Sequence, residues 1–344
     1  MNGMRLIATV VLLVLTLPPG EVLRVSAQQP AAGAPAPQAP PNGSAPPNGP
    51  ATQAPPNAAV PQAPGQTPTI RGGIDVVRVD VFATDSKGNP ITDLKQSDFE
   101  IIEDGKPQTV TYFARGVGGD EVRTHLGLML DTSGSMERDI GLARSAAIKF
   151  LNLLPEAEDI TLVDFDTEVR VTRYPQRDFA RVVERIRMRK TEGWTALYDA
   201  LGVYLDGASG GDGRTVLVMY TDGADSRSEL RFEELMKLLQ ASEVTVYAVG
   251  LLENTGRMRN ELSMRLQQIT GATGGQAFFP GALKELESSY EKVLAEIKSQ
   301  YHLGYSSTNA AQDGRWRKVE IKVKRPETRL RSRKGYFAAY KAPR

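Results

Sequence analysis

Residues 126–130 read Leu-Gly-Leu-Met-Leu, an apolar run without polar interruption, as a strand buried on both faces requires. Three more mostly apolar runs follow, at 160–165, 216–220 and 244–249, the first interrupted by Thr161 and Asp164 and the last by Thr245. Between them the apolar positions change period. From Arg138 the pattern turns helical, with Ile140, Ala143, Ala147, Ile148 and Leu151 on one face, and amphipathic helices are predicted over 179–188, 196–205, 230–239, 257–269 and 283–297. Short runs at 169–172 and 276–279 suit edge strands. Buried strands alternating with helices predict an α/β fold over 118–300, with a doubly wound, mostly parallel sheet flanked by helices.

The flanks follow a different rule. In residues 71–117, Val77, Val79 and Val81 alternate with Arg78 and Asp80, the period of a half-buried strand. Ser86 to Pro90 is a turn. A second strand, 99–102, runs into Asp104-Gly105, a hairpin signal, and 110–113 returns. Residues 301–340 repeat this style, with Val319, Ile321 and Val323 alternating with lysines and Glu320. Each flank is about 40 residues, too short to bury a stable core alone. Pairing the two into one small β-sandwich, with the α/β domain inserted between them, meets that shortage.

Residues 1–70 carry no such pattern. Residues 1–27 read as a secretory signal peptide: Arg5, an apolar stretch over 6–17, and Val25-Ser26-Ala27 as a small-residue cleavage site. That stretch is shorter than the roughly 20 residues a membrane span needs. Residues 28–70 hold 13 of the 22 prolines and no charge, a composition that favours an extended spacer over any core. The expected destination is therefore the periplasm, the cell surface or the medium. With no cysteine, a disulfide, a thiolate metal site and a lipoprotein anchor are excluded. Only His125 and His302 are present, which leaves little for a histidine-based site. A net charge of +1 argues against general nucleic-acid binding.

Candidate chemistry gathers where the first buried run ends, in Asp131-Thr132-Ser133-Gly134-Ser135. Side-chain oxygens at 131, 133 and 135 can converge on a hard cation, or the string can serve as a turn and helix cap. Two later stretches bear on that choice. The run at 216–220 ends in Thr221-Asp222-Gly223, and Gly193-Trp194-Thr195 places a threonine at the mouth of another helix. In order and spacing this set resembles the metal-ion-dependent adhesion site (MIDAS) of von Willebrand factor type A (VWA) domains, whose fold is Rossmann-like. The resemblance covers roughly residues 124–298. It implies that Ser133, Ser135 and Thr195 touch the metal, while Asp131 and Asp222 hold it directly or through water. Oxygen donors of this kind suit Mg²⁺, with Mn²⁺ or Ca²⁺ also accommodated. The implied partner is a protein that presents an Asp or Glu to the cation. The flanks, with DFEIIEDGKPQTV before the core and YHLGYSS and RKGYF after it, resemble secreted bacterial VWFA-related proteins.

Other features admit two readings. Asp225 is a loop cap or a sixth oxygen, and the cap is favoured. Asp164 and Asp166 are expected in a solvated turn rather than as an acid pair. Trp194 is a partner contact or a loop-packing residue. The basic stretch 315–341, with Arg325, Arg329, Arg331, Arg333 and Lys334, is expected on the wet face of strands, with contact to anionic cell-surface material as the alternative. An enzymatic reading is a metal-dependent hydrolase or phosphatase built on the Asp131 loop, since Asp131 resembles the nucleophile of haloacid-dehalogenase-like phosphatases. Those carry a second Asp two residues on, where this chain has Ser133, and no nucleophile elbow surrounds either serine. Binding without catalysis is therefore the favoured expectation.

Overall fold

The computed structural model describes residues 76–116, 123–153, 157–208 and 213–340. The expected signal peptide and proline-rich spacer lie outside the described residues. In chain order the elements are β1 (Val76–Thr84), β2 (Phe99–Glu103), β3 (Lys106–Gln108) and β4 (Tyr112–Arg115). Next come β5 (Thr124–Asp131), α1 (Ile140–Asn152), β6 (Asp159–Phe165), β7 (Val169–Pro175), α2 (Phe179–Met188), α3 (Leu197–Gly207) and β8 (Arg214–Thr221). Then follow α4 (Phe232–Ala241), β9 (Thr245–Gly250), α5 (Arg259–Ala272), β10 (Ala277–Phe278) and α6 (Leu283–Ser299). The chain closes with β11 (Tyr301–Ser306), β12 (Trp316–Val323), β13 (Arg329–Ser332) and β14 (Gly335–Phe337).

The central sheet has the order β10-β9-β8-β5-β6-β7 and is parallel except for β7, which runs antiparallel to β6 at the edge. Pleating sends successive side chains to opposite faces. Leu126, Leu128 and Leu130 of β5 thus meet Ala143 and Phe150 of α1 and Val293 of α6. Met129, with Leu217 and Met219 of β8, meets Leu201 of α3, Leu235 of α4 and Leu266 of α5. Both faces are covered, which is why the middle of each strand, Leu126–Leu130 and Val216–Tyr220, is apolar. The fold class is the α/β, doubly wound one expected. From β5 the chain first builds outward through β6 and β7, then crosses back to lay β8 on the other flank of β5. The carboxyl ends of β5 and β8 therefore form the switch point where open α/β sheets hold ligands.

Two four-stranded antiparallel sheets pack beside this core, β13-β1-β11-β4 and β14-β12-β2-β3. Each mixes strands from both ends of the described chain. Val79 of β1 stands opposite Leu303 of β11, and Ile101 of β2 opposite Ile321 of β12. Between them lies a third core that includes Val79, Val81, Phe99, Ile101, Tyr301, Leu303 and Tyr305. Among the described residues, no helix is long and apolar enough to cross a membrane.

Several local expectations are corrected. The helix after the Asp131 loop starts at Ile140, because Gly134–Arg138 forms a tight 3-10 turn that buries Met136. Asp164 and Asp166 are not solvated; both are buried at the carboxyl end of β6. Arg189 pairs with Asp164 at 2.7 Å, with Arg170 and Arg185 each at 3.7 Å, and Arg170 also pairs with Asp166. Nor is the C-terminal basic stretch uniformly wet. Arg333 is buried, and Arg331 stacks over Phe82 and pairs with Glu296 of α6. Strands of the sandwich that face the α/β core need polar partners for the ends of its helices and strands, and arginines supply them.

Candidate metal centre

Strand β5 ends at Asp131, whose carboxylate is fully buried. Its Oδ1 accepts the Ser133 N–H at 3.0 Å and the Ser133 Oγ at 2.6 Å. Its Oδ2 accepts the Thr221 hydroxyl, at 2.6 Å from the end of neighbouring β8. The Ser133 and Ser135 hydroxyls lie 3.0 Å apart. Neither the 3-10 turn nor α1 takes a side-chain cap from this string, so the helix-cap alternative gains no support. Asp222 follows Thr221 and accepts the Ala224 N–H at 2.9 Å, which turns the chain away from the sheet.

The Thr195 loop is tied to both of these loops through the backbone. Gly134 N–H donates to the Gly193 carbonyl at 3.2 Å, and Glu192 N–H to the Thr132 carbonyl at 2.9 Å. On the other side, the Thr195 N–H donates to Ser226 Oγ at 3.1 Å, while its carbonyl accepts the N–H groups of Ser226 and Arg227 at 2.9 and 3.0 Å. Gly193 has φ +72°, and a Cβ there would lie 2.4 Å from Thr167 Oγ1, the atom that accepts the Trp194 N–H. Only glycine fits that position. The structure therefore brings Asp131, Ser133, Ser135, Thr195 and Asp222 to the carboxyl end of the sheet, on three mutually bonded loops. Trp194 stands beside them with 67% of its surface exposed, so it does not pack the loop.

Electrostatics sets this cluster apart. Burial first, and then the charge of Asp222, push the Asp131 carboxyl up to about 7, against the hydrogen bonds from Ser133 and Thr221. Two carboxylates thus compete for one poorly solvated space, and a bound cation would relieve both. Among the described residues no three His, Cys, Asp or Glu side chains gather at one point. A metal here would depend on hydroxyl ligands, and an all-oxygen set of carboxylate and hydroxyl donors is hard-cation chemistry. The donor set fits the ion.

The profile of the von Willebrand factor type A domain matches residues 125–307. The chain belongs to that family. Comparison with curated proteins gives no match. Among solved structures, the VWA chain is similar to the PilB minor pilin from Streptococcus sanguinis, at 13% identity and TM-score 0.42, over 52% of this chain and 62% of that one. It is also similar to the pilus adhesin SpaC from Lactobacillus rhamnosus GG, at 10% identity and TM-score 0.43, over 70% and 48%. A third is the vWF domain of the type V pili tip protein Mfa5 from Porphyromonas gingivalis, at 10% identity and TM-score 0.43, over 52% and 98%. The chain thus spans less than two thirds of the PilB length, and likenesses of this size carry no functional argument.

Thr221 belongs to the matched Thr-Asp-Gly string, but its bond to Asp131 across two strands was not foreseen. Ser226 and Thr167 hold the Thr195 loop and carried no signal at all. Asp225 is a cap: it accepts the Tyr198 N–H at the start of α3 at 3.2 Å and the Ser228 hydroxyl at 2.6 Å.

Proposed function

We propose that this VWA protein is a non-enzymatic, adhesion-type binding module. Asp131, Ser133, Ser135, Thr195 and Asp222 hold a divalent cation, Mg²⁺ first and Mn²⁺ or Ca²⁺ as substitutes. The cation supplies a positive centre for an Asp or Glu carboxylate of a protein partner. The observation that carries the reading is the fully buried Asp131 carboxyl, pushed up to about 7 by burial and by Asp222 within a ring of hydroxyls. Family membership supports it. In this reading Asp131 orients Ser133, the three bonded loops hold the ligands before metal arrives, and Trp194 is an exposed aromatic contact for the partner. Export through the 1–27 signal completes it, with the protein acting in the periplasm or outside the cell.

The hydrolase alternative has no histidine base at the Asp131 loop. His125 sits near the start of β5, six residues and about 20 Å from Asp131, and bonds Asp159 at 2.9 Å. His302 lies in the sandwich against Asp80. The test is thermal unfolding of metal-stripped protein with Mg²⁺ or Mn²⁺ titrated in, beside Asp131→Ala. A cation that binds only the native state raises the melting point with concentration. The expected result is a rise in wild type and none in the variant; equal responses would refute the site. Peptides bearing Asp or Glu should then be retained in Mg²⁺ and released by EDTA, and Trp194→Ala should weaken retention without lowering the melting point.

A further inference from the structure

Strand β7 closes one side of the central sheet, and among the described residues no strand pairs with its outer edge. Its register with β6 is unbroken from Val169 to Pro175, without a bulge. Backbone bonds just beyond both ends fix the phase of the pairing. Asp166 N–H donates to the Glu168 carbonyl at 3.1 Å, and Gln176 N–H to the Glu158 carbonyl at 3.3 Å. Bonded pairs alternate along an antiparallel ladder, so Arg170, Thr172 and Tyr174 turn their backbone groups to β6. Val169, Val171 and Arg173 therefore turn their N–H and C=O groups outward. Pro175 falls in the same outward set, where its missing N–H breaks no ladder bond. Among the described residues no hydrogen bond reaches these outward groups. Val171 is 44% exposed, so the strip lies open to solvent.

The side chains around this edge decide what can add to it. Val182 and Ile186 bury one face of α2 against the sheet, and Arg187 lines a groove shared with α1. Helical spacing then places Arg181 and Arg185 on the flank away from α1, above the free edge of β7. Arg181 has Asp178 beside it at 3.7 Å, yet 71% of its side chain is exposed. Arg170 shares that side of the sheet, and with Arg185 and Arg189 it outnumbers the buried Asp164 and Asp166. On the other side Arg173 projects with 61% of its side chain exposed. An open edge is a template for another strand, and cations beside it oppose a second copy, whose own α2 would bring the same arginines. The same cations admit an acidic strand. We infer that β7 is a docking edge, independent of the Asp131 cluster, for an extended acidic segment of a partner protein. That segment runs antiparallel to β7, exchanges backbone bonds with Val169, Val171 and Arg173, and sets its carboxylates against Arg181 and Arg185. In this pairing the residues opposite Val169, Val171 and Arg173 point their N–H groups at β7, and those between them carry the carboxylates.

The test is fluorescence anisotropy of labelled peptides with the full-length protein in EDTA, which keeps cations from the Asp131 cluster. The probe is Glu-Val-Glu-Val-Glu-Val, whose carboxylates share one face when extended. Two controls have the same charge: one is N-methylated at the valines, whose N–H groups would face β7, and one at the glutamates, whose N–H groups would face away. The parent peptide and the glutamate-methylated form should bind, and the valine-methylated form should bind about tenfold more weakly or worse. Val171→Pro removes an outward N–H and no bond to β6, so it should weaken the parent peptide about tenfold and leave the melting point nearly unchanged. Arg181→Glu should weaken the parent peptide and strengthen Lys-Val-Lys-Val-Lys-Val. If Val171→Pro fails to fold, the two methylated peptides on the wild-type protein still decide. No binding of the parent peptide at millimolar concentration would overturn the site. So would any other order of the two methylated forms, including the equal binding expected of a purely electrostatic contact.

Discussion

Replacing Asp131 by Asn should stabilise the metal-free protein at pH 8, the reverse of what a substitution in a bonded, buried site ordinarily does. Folding raises the Asp131 pKa from 3.8 to about 7. The native state then holds a proton that the unfolded chain has released, so the contribution to stability is full below pH 4 and is lost as pH rises through 7. At about 1.4 kcal/mol per unit, the ionised carboxylate destabilises the metal-free fold by roughly 4 kcal/mol at pH 8. Asn removes that charge and nearly keeps the shape. It gives up part of the bonding with Ser133 and Thr221, a loss of about 1–2 kcal/mol. The net gain is about 2–3 kcal/mol at pH 8, or some 5–10 °C. At pH 5 wild-type Asp131 is protonated and the two proteins should be nearly equal. Urea unfolding in EDTA at both pH values measures this. Equal or lower stability of the variant at pH 8, or a difference that does not change with pH, would refute the electrostatic account. Mg²⁺ should then stabilise wild type alone.

Three further outcomes are expected. Glu103 is buried and accepts the hydroxyls of Tyr305 at 2.8 Å, Ser307 at 2.6 Å and Tyr336 at 3.0 Å, so Glu103→Ala strands three donors. It should cost about 3–5 kcal/mol in denaturant unfolding, and a loss below 1 kcal/mol would show that water replaces the carboxylate. A Cβ on Gly275 would lie 1.8 Å from the Val246 carbonyl oxygen, backbone against backbone, so Gly275→Ala should lose about 3 kcal/mol or more, seen as a lowered melting point. Removing the chain after Gln300 takes β11, β12 and β13 from the partners of β1 and β2, and their amides should then exchange with solvent within seconds; protection retained in β1 would contradict the pairing.

The elements of the core were legible because their signals are local. A strand covered on both faces is apolar at every position, as Leu126 to Leu130 is, and a helix repeats its apolar residues every three or four. Boundaries were less so: nothing nearby says that Gly134–Arg138 winds tightly before α1, or that β7 runs on to Pro175. Of the candidate site, the Asp131 loop stood out as small oxygen-bearing residues after a buried strand, while Thr195 and Asp222 joined it through the resemblance to the family's motif.

What the sequence determined by itself is the kind of structure each stretch makes and the kind of chemistry its loops offer. What only the tertiary structure decided is which groups share a buried space. Thr221 reaches Asp131 from 90 positions away. Asp164, expected in solvent, is enclosed by three arginines, and Arg333, expected on a wet face, is buried against the α/β core. Arg214 is buried, and bonds the Ile297 carbonyl, because β8 begins where two lobes meet. Propensity and periodicity depend on neighbours a few residues apart, whereas burial, and with it the cost of a charge, depends on everything the fold brings within contact.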